Sequence, residues 1–200
     1  MNRKTKLRYK DSLRVGAAQV IDTGDPDSNL KRVADFFGHA SQKSVEVICF
    51  PEAIISCYDL DHVSECDEQY ARRVKANLKR VKELCTQYHL WTVIGSVTPD
   101  SKQWRNEAYL IDKTGKIKGR CTKIHTLEGR ERKLLAQGNR IPIFHVKGVK
   151  AGILICNDQK YFEPWYILAT RGCAVVFHPM WGNGPAGLNP YENGTQMCWA

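Results

Sequence analysis

No stretch of this 200-residue chain is apolar for long enough to cross a bilayer as a helix, so a membrane partner is not expected. Paired cysteines are missing too. The eight cysteines at 49, 57, 66, 85, 121, 156, 173 and 198 form no C-x-x-C pair, which argues against a zinc site and leaves most of them to be read as reduced and structural. The basic start, Met1 to Lys10, lacks the apolar core of a secretory signal, so residues 1–13 read as a disordered basic leader and the address as cytoplasmic. Aromatic interleaving is also absent from the basic clusters (Arg72-Arg73, Lys79-Arg80, Lys116 to Arg120, Arg130 to Lys133), despite a formal net charge of +9. A base-stacking surface would need that interleaving, and no nucleic-acid partner is expected. The charge leaves room for a preference for anionic substrates. No internal repeat occurs.

What is present is a hydrophobic fraction of 42% and a charged fraction of 26%, the balance of a chain with one good-sized core. Short β-rich runs alternate with amphipathic stretches, which predicts an α/β layered fold. Strands are expected at Arg14–Val20, Val45–Phe50, Trp91–Val97, Glu107–Asp112, Ile117–Arg120, Ile141–Val146, Val149–Ile155 and Ala174–His178. Helices are expected at Ser28–Gln42, capped by Asp27 or Ser28, at Glu68–His89 and at Phe162–Arg171. Lys113-Thr114-Gly115 and Lys147-Gly148 mark hairpin turns, and Met180 to Pro190 is turn chemistry throughout.

Three polar residues stand where strands end or their loops begin. Cys156 follows the apolar run Ala151 to Ile155 and precedes Asn157-Asp158, Glu52 follows Phe50-Pro51, and Lys123 follows Cys121-Thr122. Ligand crevices in open α/β sheets lie at the carboxyl ends of strands, and a turn into a helix offers backbone N–H groups to a thiolate or an oxyanion. A carboxylate base, a thiol nucleophile and an ammonium beside the developing oxyanion are together sufficient for acyl transfer. Taken singly, each has a plainer reading: Glu52 and Lys123 as surface charges, and Cys156 as an inert buried thiol of the kind expected for Cys49 and Cys173 within strands.

Read in order, Phe50-Pro51-Glu52, Lys123-Ile124-His125 and Cys156-Asn-Asp-Gln-Lys-Tyr-Phe-Glu163 resemble the nitrilase superfamily, the carbon-nitrogen hydrolases, from Arg14 to about Pro179. Gln19, Asn29, Asn106, Asp112 to Gly115 and Gly138 fall where that family carries supporting marks. The resemblance implies an α-β-β-α sandwich, a homodimer or larger homo-oligomer, and a Glu52, Lys123, Cys156 triad. It further implies Glu131 as a second glutamate, an oxyanion contact from the Asn157 backbone N–H, and Asp158 either as polar support of the cysteine turn or as a cap of the next helix. No metal or organic cofactor is implied. The implied reaction cleaves a non-peptide carbon-nitrogen bond of a small amide or N-carbamoyl compound through a cysteine thioester, a nitrile being the less favoured substrate.

Departures accompany the match. Cys121-Thr122 replaces an aromatic-basic pair, Lys160 replaces an arginine, and Phe162 stands where proline is usual. Compared with the family, the segment from His178-Pro179 to Glu192-Asn193 is short, and further strands would follow Ala200. Residues 14–200 are therefore expected to form a single, C-terminally shortened hydrolase domain lacking its last strands. The alternative function is a weak or inactive binding and assembly subunit on the same fold. As an enzyme, Cys156 is expected to carry a low pKa and to alkylate faster than the other exposed thiols near neutral pH.

Overall fold

An amphipathic helix must bury its apolar stripe, and two of the helices here bury theirs on one sheet face. The computed structural model describes residues 13–58, 60–65, 67–100 and 103–182. The leader to residue 12, Cys66, Cys198, the turns beyond residue 182 and Tyr191 to Gly194 lie outside the described residues. Strands β1 (Val15–Ala17), β2 (Val47–Cys49), β3 (Trp91–Asp100), β4 (Gln103–Ile111) and β5 (Ile117–Thr122) form a five-stranded sheet in that order. β1, β2 and β3 are parallel, and β4 and β5 return antiparallel. A second, three-stranded sheet holds β6 (Phe144–Val146), β7 (Val149–Ile153) and β8 (Val175–Phe177), with β7 and β8 parallel.

Helices α1 (Pro26–Gln42) and α3 (Glu68–Tyr88) cover the outer face of the larger sheet; between them runs the short α2 (Asp61–Ser64). Val33, Phe37 and Ala40 of α1 and Val81 and Leu84 of α3 pack with Ile48, Phe50, Ile94, Tyr109 and Ile111. Alternate residues of the same strands, Val47, Val93, Ala108 and Leu110, face the other way and meet Ala151, Ile153 and Phe177 of the second sheet. That alternation is the period-two pleat at work. On the far side, α5 (Phe162–Thr170) lies so close that a Cβ on Gly152 would meet the Leu168 side chain at 2.4 Å. The layers are therefore α-β-β-α, as expected.

Some boundaries differ from those expected. Helix α1 is capped by Asp25, whose side chain accepts from Ser28 N at 2.8 Å, rather than by Asp27 or Ser28. Pro26 explains the shift, because proline fits the first helical position, where its missing N–H costs nothing. Strand β1 pairs over only three residues, since its ladder partner β2 ends at Cys49 ahead of Phe50-Pro51. The β3/β4 hairpin runs longer, from Trp91 to Ile111, and α2, α4 (Arg130–Leu134) and a 3-10 turn at Cys156–Lys160 were not anticipated. Cys49 and Cys173 are only half-buried, and Cys173 precedes its strand; among the described residues the deeply buried cysteines are Cys57, Cys85 and Cys121. Among the described residues no helix is long and apolar enough to cross a membrane.

Burial pushes Cys85 up to about 12, helped by the charge of Asp112, and pushes Cys121 up to about 12, helped by Asp158 and Glu107. Each thiol keeps its proton in the folded protein above its ordinary value of 9.0, where the unfolded chain has lost it. Their contribution to stability is thus whole below pH 9 and is lost as pH rises through about 12. Under reducing conditions the thermal midpoint should fall across that window, and fall less steeply in a Cys85→Ala, Cys121→Ala variant; equal slopes would contradict the assignment.

Candidate active site

The sequence brings a side chain to the end of each of four strands, and the two sheets bring those ends together. Glu52 follows β2, Lys123 follows β5, Cys156 follows β7 and Trp181 follows β8. Gly95 on β3 permits the first of these placements. A Cβ there would meet Ala53 N at 2.5 Å and the Glu52 Cα at 2.6 Å, so only glycine lets the Pro51–Ile55 turn cross the strand at this distance. Gly138 does the same beside Lys123, where an added Cβ would meet Thr122 O at 2.4 Å while the glycine N–H bonds Lys123 O at 2.8 Å.

Lys123 is fully buried, and its Nζ lies 2.9 Å from Glu52 Oε1 and 2.9 Å from Glu131 Oε1. Both carboxylates are themselves buried. Asn106 Nδ2 donates to Glu52 Oε1 at 2.7 Å and to Glu131 Oε1 at 3.4 Å, and Leu127 N donates to Glu131 Oε2 at 2.6 Å. Burial alone would lower the Lys123 pKa, but the charges of Glu52 and Glu131 outweigh it and hold the ammonium above its ordinary value. The lysine therefore stays charged in a place where a lone charge would be costly.

Cys156 opens the 3-10 turn with φ 45°, a left-handed conformation that costs a non-glycine residue on the order of 1–3 kcal/mol. Ala53 (φ 55°) and Cys57 (φ 61°) are similarly placed on the Glu52 side. The Cys156 amide N–H donates to Pro179 O at 2.9 Å, and its thiol feels the charges of both Glu52 and Lys123. Burial pushes this thiol up to about 12, the Glu52 charge adds to the rise, and Lys123 opposes it. The expected low-pKa thiolate is thus corrected: burial, with the Glu52 charge added, outweighs Lys123 and keeps the resting sulfur protonated.

Asp158 is the support of the cysteine turn and not a cap of α5, whose N-cap position is Tyr161. Its Oδ1 accepts from Ile124 N at 3.1 Å and His125 N at 2.7 Å, and its Oδ2 accepts from Ile155 N at 3.1 Å. One buried carboxylate thereby ties the lysine segment to the cysteine segment. Asn157 adds a parallel tie, Nδ2 to His125 O at 3.1 Å, and His125 stacks on Tyr161 at 3.6 Å.

Three neighbours, Asn106, Trp181 and Tyr58, were not singled out as site residues in the sequence. Asn106 appeared only as a family mark, since between Arg105 and Glu107 it carries no local signal of burial. Trp181 N donates to Glu52 Oε2 at 3.0 Å, and its ring stacks on Tyr58 at 5.0 Å. Both aromatics line an open cleft of about 470 Å3 together with Asp22, Cys57, Asp61 and Arg130. Among the described residues no group of three or more His, Cys, Asp or Glu side chains is placed to hold a metal ion.

A family profile described as carbon-nitrogen hydrolase matches residues 14–196. The 2-oxoglutaramate amidase of Bacillus subtilis (strain 168) is 30% identical over 159 residues, covering 78% of this chain and 60% of that protein. The omega-amidase of Homo sapiens is 24% identical over 178 residues, covering 84% and 63%. A mutant of the amidase from Nesterenkonia AN1, of the nitrilase superfamily, superposes with TM-score 0.79 at 21% identity over 87% of this chain and 67% of that one. Another mutant of that amidase carries acrylamide added at its active-site cysteine. The chain thus spans about 60% of the length of the curated relatives it matches.

Removing the one cation from between two buried carboxylates should be costlier than removing a thiol. Lys123→Met is expected to destabilise the fold by about 3–5 kcal/mol, whereas Cys156→Ala relieves the left-handed strain little and costs less. Urea unfolding of both variants checks this, and a Lys123→Met variant as stable as Cys156→Ala would contradict the ion-pair account.

Proposed function

Because this chain belongs to the carbon-nitrogen hydrolase family, we propose that it hydrolyses the carbon-nitrogen bond of a small amide through a thioester on Cys156. The observation that carries the reading is the buried ion pair of Glu52 with Lys123 at 2.9 Å, beside a Cys156 thiol whose titration is governed by both charges. A carboxylate in that position can act as base toward the sulfur while the ammonium waits for negative charge on oxygen.

Glu52 takes the thiol proton as sulfur bonds to the carbonyl carbon, and the oxyanion forms against Lys123 and the Asn157 backbone N–H. Collapse breaks the carbon-nitrogen bond, and the proton held by Glu52 leaves on nitrogen as ammonia or an amine. Water then yields a proton to Glu52 while its oxygen bonds to the thioester carbon. The carbon-sulfur bond breaks, the sulfur recovers the proton, and a carboxylic acid departs. Glu131 keeps Lys123 in place and sets the charge balance, and Asp158 holds the lysine and cysteine segments in register.

With a thiol pushed up to about 12, attack depends on concerted removal of the proton and not on a standing thiolate. The amidase names of the relatives favour an amide over the N-carbamoyl alternative. A homodimer or larger assembly belongs to the same reading, supported by the exposed rings of Phe162 (72%) and Tyr166 (56%) on α5. So does a cytoplasmic address, because a reducing compartment keeps the nucleophile as a free thiol.

Ammonia release from a panel of small amides, N-carbamoyl amino acids and nitriles is the direct test. Turnover should be found with amides, and Cys156→Ala should abolish it with circular dichroism unchanged. Hydrolysis by Cys156→Ala at the parental rate would refute the thioester route, and turnover of no panel member would favour the binding subunit.

A further inference from the structure

Asp22 lies in the loop between β1 and α1, outside the residues to which the proposed reaction assigns a role. Its carboxylate nevertheless gathers four donors. Oδ1 accepts from Asn29 Nδ2 at 2.7 Å and Gly24 N at 3.0 Å. Oδ2 accepts from Tyr58 N at 3.2 Å and the Trp181 indole Nε1 at 3.0 Å. Burial alone would raise its pKa, but these hydrogen bonds outweigh it and lower the value, so the group is an ionised acceptor at both oxygens.

Trp181 is held at both ends. Its indole is fixed by Asp22 and stacked on Tyr58 at an interplanar angle of 22°, and its amide N–H reaches Glu52 Oε2 at 3.0 Å. The opposite oxygen, Oε1, is set by Lys123 and Asn106. Rotation of the Glu52 carboxylate away from the sulfur is therefore resisted on one side by the site itself and on the other by Trp181.

We infer that Asp22 is a positioning residue: by holding the Trp181 indole it fixes the Trp181 amide on Glu52, and so orients the base toward Cys156. The inference rests on the proposed role of Cys156 as nucleophile and Glu52 as its base. An alanine at position 22 would remove both acceptor oxygens and leave all four donors without this partner. The segment carrying Trp181 then loses its side-chain anchor while its backbone sequence is unchanged.

Alkylation by iodoacetamide, itself a small primary amide, reads the base-to-sulfur alignment without a known substrate, and peptide mapping separates Cys156 from the other cysteines. Asp22→Ala and Trp181→Phe, which removes the indole N–H and retains an aromatic ring, should each slow Cys156 alkylation near neutral pH roughly tenfold and displace its pH-rate profile. Since both cut the same link, the double variant should be no slower than the slower single one. Parental rates and profiles in both single variants would overturn the inference, as would multiplying losses in the double variant. A lowered thermal midpoint with parental alkylation would make Asp22 structural only and would overturn it equally. Glu52→Gln separates the two levels: if it leaves parental Cys156 reactivity unchanged, the base assignment itself fails and the inference falls with it.

Discussion

The buried ammonium of Lys123 between Glu52 and Glu131 is the constraint on which the rest of the site depends. Each carboxylate is tolerable in the interior only because the lysine is 2.9 Å away, and the lysine only because both are there. One positive charge stands against two negative ones, and at the adjacent sulfur burial and the Glu52 charge outweigh it, so the thiol holds its proton. The same imbalance makes the ammonium a standing partner for any new negative charge on a bound oxygen.

Holding these charges in place falls to a frame of polar ties between segments distant in sequence. Asp158 joins Ile155 to Ile124 and His125, Asn106 spans Glu52 and Glu131, and Asp22 joins the β1 loop to Tyr58 and Trp181. Left-handed backbone at Ala53, Cys57 and Cys156 persists because these ties and the crossing over Gly95 determine the chain path on both sides. Strain and support are thus found together, on the strand ends that face each other across the two sheets.

Much of the architecture was legible in the residues. The apolar stripe of Val33 and Phe37 specified α1, the alternation in Trp91 to Val97 specified β3, and Lys113-Thr114-Gly115 specified a hairpin, because each depends on local periodicity or turn chemistry. Boundaries were less so: Pro26 moved the start of α1 to a cap at Asp25, and β1 was limited by the length of its partner. The ordered motifs at Glu52, Lys123 and Cys156 were visible, together with Glu131 and Asp158. Trp181 was not, since a tryptophan among glycines and prolines carries no periodic signal and its role is exercised by its backbone amide.

The sequence by itself determined the family, the layered order of strands and helices, and which residue types would stand at strand ends, because these follow from patterns within a few residues of chain. Only the tertiary structure decided the ionisation of the sulfur and the company it keeps. A pKa depends on burial and on charges, here Glu52 after β2 and Lys123 after β5, and no local pattern around Cys156 records how near they come. The thiolate expected from a helix start gave way to a protonated thiol for that physical reason: burial and the Glu52 charge together outweigh the one ammonium.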